Sequence, residues 1–132
     1  MILIVSLAPQ TIRLMVTSAA GTLLATRDAS WRVGSGCSLA SHVHDLLADQ
    51  GRSVSDLSRI ALIDRGGSYT SARTTYAFAN SLAWAAQLPL VVVRPAVNES
   101  EQSAMSQAVQ LQPTTVFVTP RYEDRRGVFY IV

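Results

Sequence analysis

Arg65-Gly66-Gly67-Ser68-Tyr69-Thr70-Ser71-Ala72-Arg73 follows the apolar run Ile60-Ala61-Leu62-Ile63 and precedes an alanine-rich stretch ending at Leu88-Pro89-Leu90-Val91-Val92-Val93. Two adjacent glycines free the backbone to turn sharply after a strand. Ser68 and Thr70 are suited to cap a helix that starts at once. A glycine turn feeding a helix N-terminus is also a phosphate cradle, so a nucleotide site has to be weighed. The chain contains no lysine at all, so no P-loop lysine can complete such a site. The favoured reading is a tight strand-to-helix turn with a capped helix.

Working outward, the same stretch resembles the G-P-G-S-F-T-G-L-R-I-G motif of the TsaB (YeaZ-like) family. That family is the non-catalytic subunit of bacterial tRNA threonylcarbamoyladenosine biosynthesis. Gly67, Ser68, Thr70 and Arg73 match, Tyr69 replaces a phenylalanine, Gly66 stands at the proline and Ser71 at the second glycine. The register continues without gaps through Leu82, Ala83 and Ala85 to Leu88-Pro89, where the family has G-I-P. Met1-Ile2-Leu3-Ile4-Val5 is similar to the family's opening strand, and Asp124 to Tyr130 resembles its D-A-R-R-G-x-V-Y hairpin. The resemblance implies an actin-like, ribonuclease-H-like lobe in a short form of the family.

The 132 residues suit one compact unit with a real core. Nearly half are apolar and 15% are charged, which excludes a disordered chain. No apolar run reaches the roughly 18–20 residues that span a bilayer. The N-terminus has no basic region, and the single cysteine, Cys37, permits neither an internal disulfide nor a metal cluster. A cytoplasmic protein with no membrane association is expected. The net charge is +2, with arginine as the sole strong base. Arg125-Arg126, with Arg121 nearby, is the one local basic cluster, and Glu123 and Asp124 dilute it, so a solvated turn is preferred over direct RNA contact.

Hydrophobic periodicity predicts strands at 2–7, 11–17 and 22–26, the last with a continuation toward Val33. Gly34-Ser35-Gly36 breaks the pattern before a helix from about Cys37 to Gln50, whose Leu39, Val43, Leu46 and Leu47 share a face and which Gly51 terminates. Ser53 to Leu57 reads as a short capped turn. A strand at 60–63, a helix at 70–87 and a strand at 90–93 follow. The order β-β-β-α-β-α-β gives an α/β class and matches half of an actin-like fold, assigned to residues 1–95. Residues 96–132 are expected to form a helix from 99 to 111 capped by Asn98, then a hairpin of 115–119 with 127–132 around Pro120. By resemblance, that segment opens a second lobe.

The constellations argue against catalysis. The actin-like superfamily places a metal-holding aspartate at the end of its first strand, and the aligned residue here is Ser6, which lacks the anionic oxygen a hard cation prefers. His42 and His44, two apart on a helix, point to different faces. His44-Asp45 with Cys37 lacks any third group for a hydrolase. Asp64, at a strand end beside the glycine turn, reads as a turn or cap residue. No catalytic, cofactor-binding or metal residue is assigned, and no cofactor is expected.

The stronger signal is the second helix. Ala72, Thr75, Ala79, Ala83 and Ala86 form a small-residue stripe that would let another backbone approach, with Phe78, Leu82 and Ala85 beside it in the core. Tyr76, Asn80 and Trp84 recur every four residues with Arg73 beside them, and this face has the composition of a protein interface. The expected interface comprises Arg73, Tyr76, Asn80 and Trp84 with Ser41 and His44 of the first helix, beside the turn of Gly66, Gly67, Ser68 and Thr70. By resemblance, the partner is a TsaD-type catalytic subunit, with self-association when it is absent and indirect association with tRNA. The alternatives are a degenerate nucleotide-binding enzyme domain and a homodimeric scaffold unrelated to tRNA.

Overall fold

A computed structural model of the chain describes residues 1–29 and 38–112, together with strands at 121–124 and 127–130. Seven strands and three helices are present among them: β1 (Ile2–Ala8), β2 (Thr11–Thr17), β3 (Leu23–Asp28), α1 (Leu39–Asp49), β4 (Arg59–Asp64), α2 (Tyr69–Ala86), β5 (Leu90–Val93), α3 (Glu101–Gln110), β6 (Arg121–Asp124) and β7 (Gly127–Tyr130). The first five strands form one sheet in the order β3-β2-β1-β4-β5. The meander β1-β2-β3 is antiparallel, whereas β1, β4 and β5 run parallel. The element order is therefore the expected one through β5.

Alternation along the strands explains why both sheet faces are covered. Leu3, Val5 and Leu7 of β1, Leu14 and Val16 of β2 and Leu62 of β4 pack under α1 and α2. The intervening Ile2, Ile4, Met15, Ala61, Ile63, Val91 and Val93 pack under α3. The division at residue 95 groups α3 with the hairpin, but its buried Ala104 and Ala108 join it to the five-stranded sheet.

The helix ends follow local chemistry. Ser38, Ser68 and Ser100 cap α1, α2 and α3, each accepting a hydrogen bond from the N–H three residues on. The cap of α3 is thus Ser100 and not Asn98, because Ala96 to Glu99 first closes a turn through the Glu99 N–H on the Ala96 carbonyl at 2.9 Å. Both α1 and α2 end in a left-handed residue with paired bonds back into the last turn. In α1 this residue is Gly51 (φ +65°), whose N–H reaches the Ala48 carbonyl while Arg52 reaches Leu47. In α2 it is Gln87 (φ 54°), with Leu88 reaching Ala83. The short turn at Val54–Asp56 is a 3-10 helix, with the Ser53 N–H on the Asp56 carboxylate at 2.8 Å.

The C-terminal hairpin differs from expectation. β6 pairs with β7, and the Asp124↔Gly127 pair closes it, so Pro120 is not its turn. The expected strand at 115–119, the Gly34-Ser35-Gly36 break, Cys37 and the side chains of Arg125-Arg126 lie outside the described residues.

Candidate functional site

Two places gather functional side chains. The first is the carboxyl edge of the parallel strands. β4 ends at Asp64, in register with Leu7 of β1. The chain then turns at Gly66, whose φ of +92° disfavours any side chain, and Asp64 Oδ1 accepts the Gly66 N–H at 2.8 Å. Gly67 faces Leu7 so closely that an added Cβ would lie 3.2 Å from its Cδ1. Ser68 Oγ then accepts the Ser71 N–H at 3.1 Å and starts α2. The motif turn of Gly66, Gly67 and Ser68 is thus accounted for by local geometry. Thr70 does not cap the helix. It lines a cavity of about 230 Å³ with Ile12, Ala29, Ser38 and Leu39.

Tyr76 belongs to this edge and not to an exposed interface face. Its side chain is 1% exposed. Its hydroxyl donates to Asp64 Oδ2 at 2.6 Å and accepts from an Arg94 Nη2 at 3.2 Å. Burial foremost, and then the hydrogen bond to Asp64, push the phenol well above the usual tyrosine range, so it stays protonated. Arg94, immediately after β5, thereby ties the ends of two strands to α2 through one phenol. Both oxygens of Asp64 have donors from within the fold, so the group acts as a brace. Arg65 points the other way, donating to the Glu99 carbonyl at 3.2 Å and pairing with Glu101 at 3.5 Å. Ser6 lies buried in β1. Among the described residues no three of His, Cys, Asp or Glu come together as a metal set.

The second place is the outward face of α1 and α2. A groove of about 440 Å³ lies between them, lined by Ala40, Val43, His44, Leu47, Phe78 and Leu82 together with Arg52 to Ser55. Phe78 and Leu82, expected in the core, are half-buried walls of this groove, and Ala85 is exposed. The small-residue stripe serves the chain's own sheet: Ala72, Thr75, Ala79 and Ala83 are buried. Its smallness lets α2 lie close against β4 and β5, where Ala79 and Ala83 meet Ile60 and Leu90.

Of the expected interface residues, Ser41, His44, Arg73 and Trp84 are exposed and Asn80 is half-buried. Trp84 is 73% exposed, an unusual position for a tryptophan. His42 and His44 diverge as the spacing predicts. His42 Nδ1 accepts from Arg27 Nε at 3.0 Å on the β3 side, and Arg27 also pairs with Asp45 at 3.5 Å. His44 enters the groove. Sequence reasoning missed the groove walls and the Asp64–Tyr76–Arg94 brace. The i, i+4 pair Phe78 and Leu82 was the available signal for the groove.

Two solved structures from Pseudomonas aeruginosa are similar to this chain in fold: YeaZ, and a protein described as similar to peptidase YeaZ. Each has a TM-score of 0.59 and 23% identity, covering 70% of this chain and 42% of its own length. The chain thus spans less than half the length of these two proteins, and its fold is theirs, an actin-like, ribonuclease-H-like α/β lobe. No curated protein matches it. Among the described residues no helix is long and apolar enough to cross a membrane. The family model for TsaD, tRNA N6-adenosine threonylcarbamoyltransferase, matches residues 37–119, which is more than half of the chain and includes both helices of the groove. The chain belongs to the TsaD family.

Proposed function

We propose that the chain is a non-catalytic, TsaB-like interaction subunit that supports threonylcarbamoyl modification of the adenosine beside the tRNA anticodon. It does so by docking the outward faces of α1 and α2 on a TsaD-type catalytic subunit. A second copy takes that place when the subunit is absent. The observation that carries this reading is the groove between α1 and α2, inside the segment that the family model matches, together with Trp84 exposed on the other flank of α2. An apolar groove with few charges and an exposed tryptophan on the same helix both have the composition of interface surfaces.

The non-catalytic part of the reading draws on the carboxyl edge. Ser6 stands where the resemblance places a metal-holding aspartate, and Asp64 is engaged by the Gly66 N–H and the Tyr76 hydroxyl. The position of Asp64 at a strand end favours, as a second reading, a nucleotide-binding domain. Light scattering of the chain alone and mixed with a TsaD-type subunit tests the first reading, with a stable heteromer as the expected result. Two monomers at concentrations of tens of micromolar overturn it. Micromolar binding of ATP and magnesium by the chain alone supports the second.

A further inference from the structure

We propose that α3 is a releasable strap. It lifts from the sheet as one unit while the five strands stay paired, and the two arginines that bracket β4 hold it down. Its grip on the sheet is small. Only Ala104 and Ala108 are fully buried, with Met105 and Val109 half-buried beside them. By contrast, α1 buries Leu39, Val43, Leu46 and Leu47. Stabilisation scales with the apolar area removed from water, so two alanines hold a helix far less firmly than four large aliphatic side chains.

The ends of α3 are held by charge instead. Arg59 directs one Nη1 at three carbonyl oxygens of the helix end, those of Ala108 at 3.2 Å, Val109 at 2.9 Å and Leu111 at 2.9 Å. A cation at a helix C-terminus satisfies orphaned carbonyls and opposes the negative end of the dipole. At the other end Arg65 donates to the Glu99 carbonyl and pairs with Glu101. The first arginine opens β4 and the second follows its last residue. These bonds involve side chains, so they break without opening any strand ladder. Segments with few buried apolar contacts and solvent-reachable hydrogen bonds open locally, well below the cost of global unfolding. Release uncovers Ile4, Ala61, Ile63, Val91 and Val93.

Amide hydrogen exchange of the full chain at neutral pH tests this. In the wild type, the amides of Met105 to Gln110 are expected to exchange at least about 100-fold faster than those of Val5 and Leu62. Arg59→Gln should speed the α3 amides by a further factor of about ten and leave the sheet amides unchanged. Glu101→Gln should act in the same direction and more weakly. Equal exchange of α3 and the central strands in the wild type overturns the proposal, as does an Arg59→Gln variant that speeds both alike. The wild-type comparison decides the matter even if Arg59→Gln does not fold.

Discussion

Replacing Trp84 by alanine separates an interface anchor from a core residue. A fully buried tryptophan hides roughly 250 Å². At 73% exposure, roughly 180 Å² of the Trp84 surface is left for a partner and roughly 70 Å² is covered by the chain itself. At about 25 cal/mol per Å², the uncovered part amounts to about 4–5 kcal/mol as an upper bound, and the covered part to about 2 kcal/mol. The second figure shrinks further because the unfolded chain already hides some of that area. Trp84→Ala should therefore weaken association by about 2 kcal/mol or more, about 30-fold in Kd. It should cost the dissociated chain about 1 kcal/mol. Leu62, with no exposed surface, is the proper core comparison, since Leu82 turns out to be a half-buried groove wall. Leu62→Ala should cost about 2–5 kcal/mol of stability. Affinity is read by calorimetric titration against a TsaD-type subunit. Stability is read by denaturant unfolding at a concentration where any dimer has dissociated, because association otherwise adds to apparent stability. An unchanged Kd refutes the reasoning, and so does a Trp84→Ala loss of stability equal to that of Leu62→Ala.

Tyr76→Phe removes the donor to Asp64 and the acceptor for Arg94, and should cost about 1–2 kcal/mol in denaturant unfolding near pH 7. Because folding raises the Tyr76 pKa, the stability it contributes is fully present below about pH 10, the unfolded value, and is lost as pH rises toward the folded one. Unfolding measured between pH 8 and pH 11.5 should show a fall that is shallower in Tyr76→Phe. Gly66→Ala places a side chain at φ +92° with no steric contact to relieve, and should lower stability by about 1 kcal/mol or more through backbone strain alone. Purified protein should hydrolyse neither ATP nor GTP above background in a phosphate-release assay, and magnesium-dependent turnover abolished by Asp64→Ala would contradict the non-catalytic reading.

The strands and helices through β5 were legible because each depends on a period within one segment. Leu39, Val43, Leu46 and Leu47 repeat at helical spacing, and Ile60 to Ile63 is a short apolar run between punctuating residues. The face of Tyr76 was not. Residues four apart on a helix advance by about 40°, so Trp84 lies about 80° round from Tyr76, far enough to pass from core to solvent. The i+4 repeat of Tyr76, Asn80 and Trp84 thus spans a boundary. The brace joins residues from three elements, 12 and 18 positions apart along the chain, which no local pattern encodes. The groove depends on the relative placement of α1 and α2, again a tertiary fact. Ser100 displaced Asn98 as a cap because a turn ending at Glu99 intervened.

Gln87 closes α2 in the left-handed region that Gly51 occupies at the end of α1. For a residue with a side chain that conformation costs about 1 kcal/mol relative to glycine. The Leu88 N–H on the Ala83 carbonyl at 2.8 Å and the Gln87 N–H on the Trp84 carbonyl at 3.2 Å nevertheless hold it. The helix that carries the exposed tryptophan is therefore tethered by a joint under tension, while its neighbour ends in a relaxed one. A single Gln87→Gly exchange would unload that joint, and the resulting surplus of stability would let otherwise damaging changes on the outward face of α2 be examined in a chain that still folds.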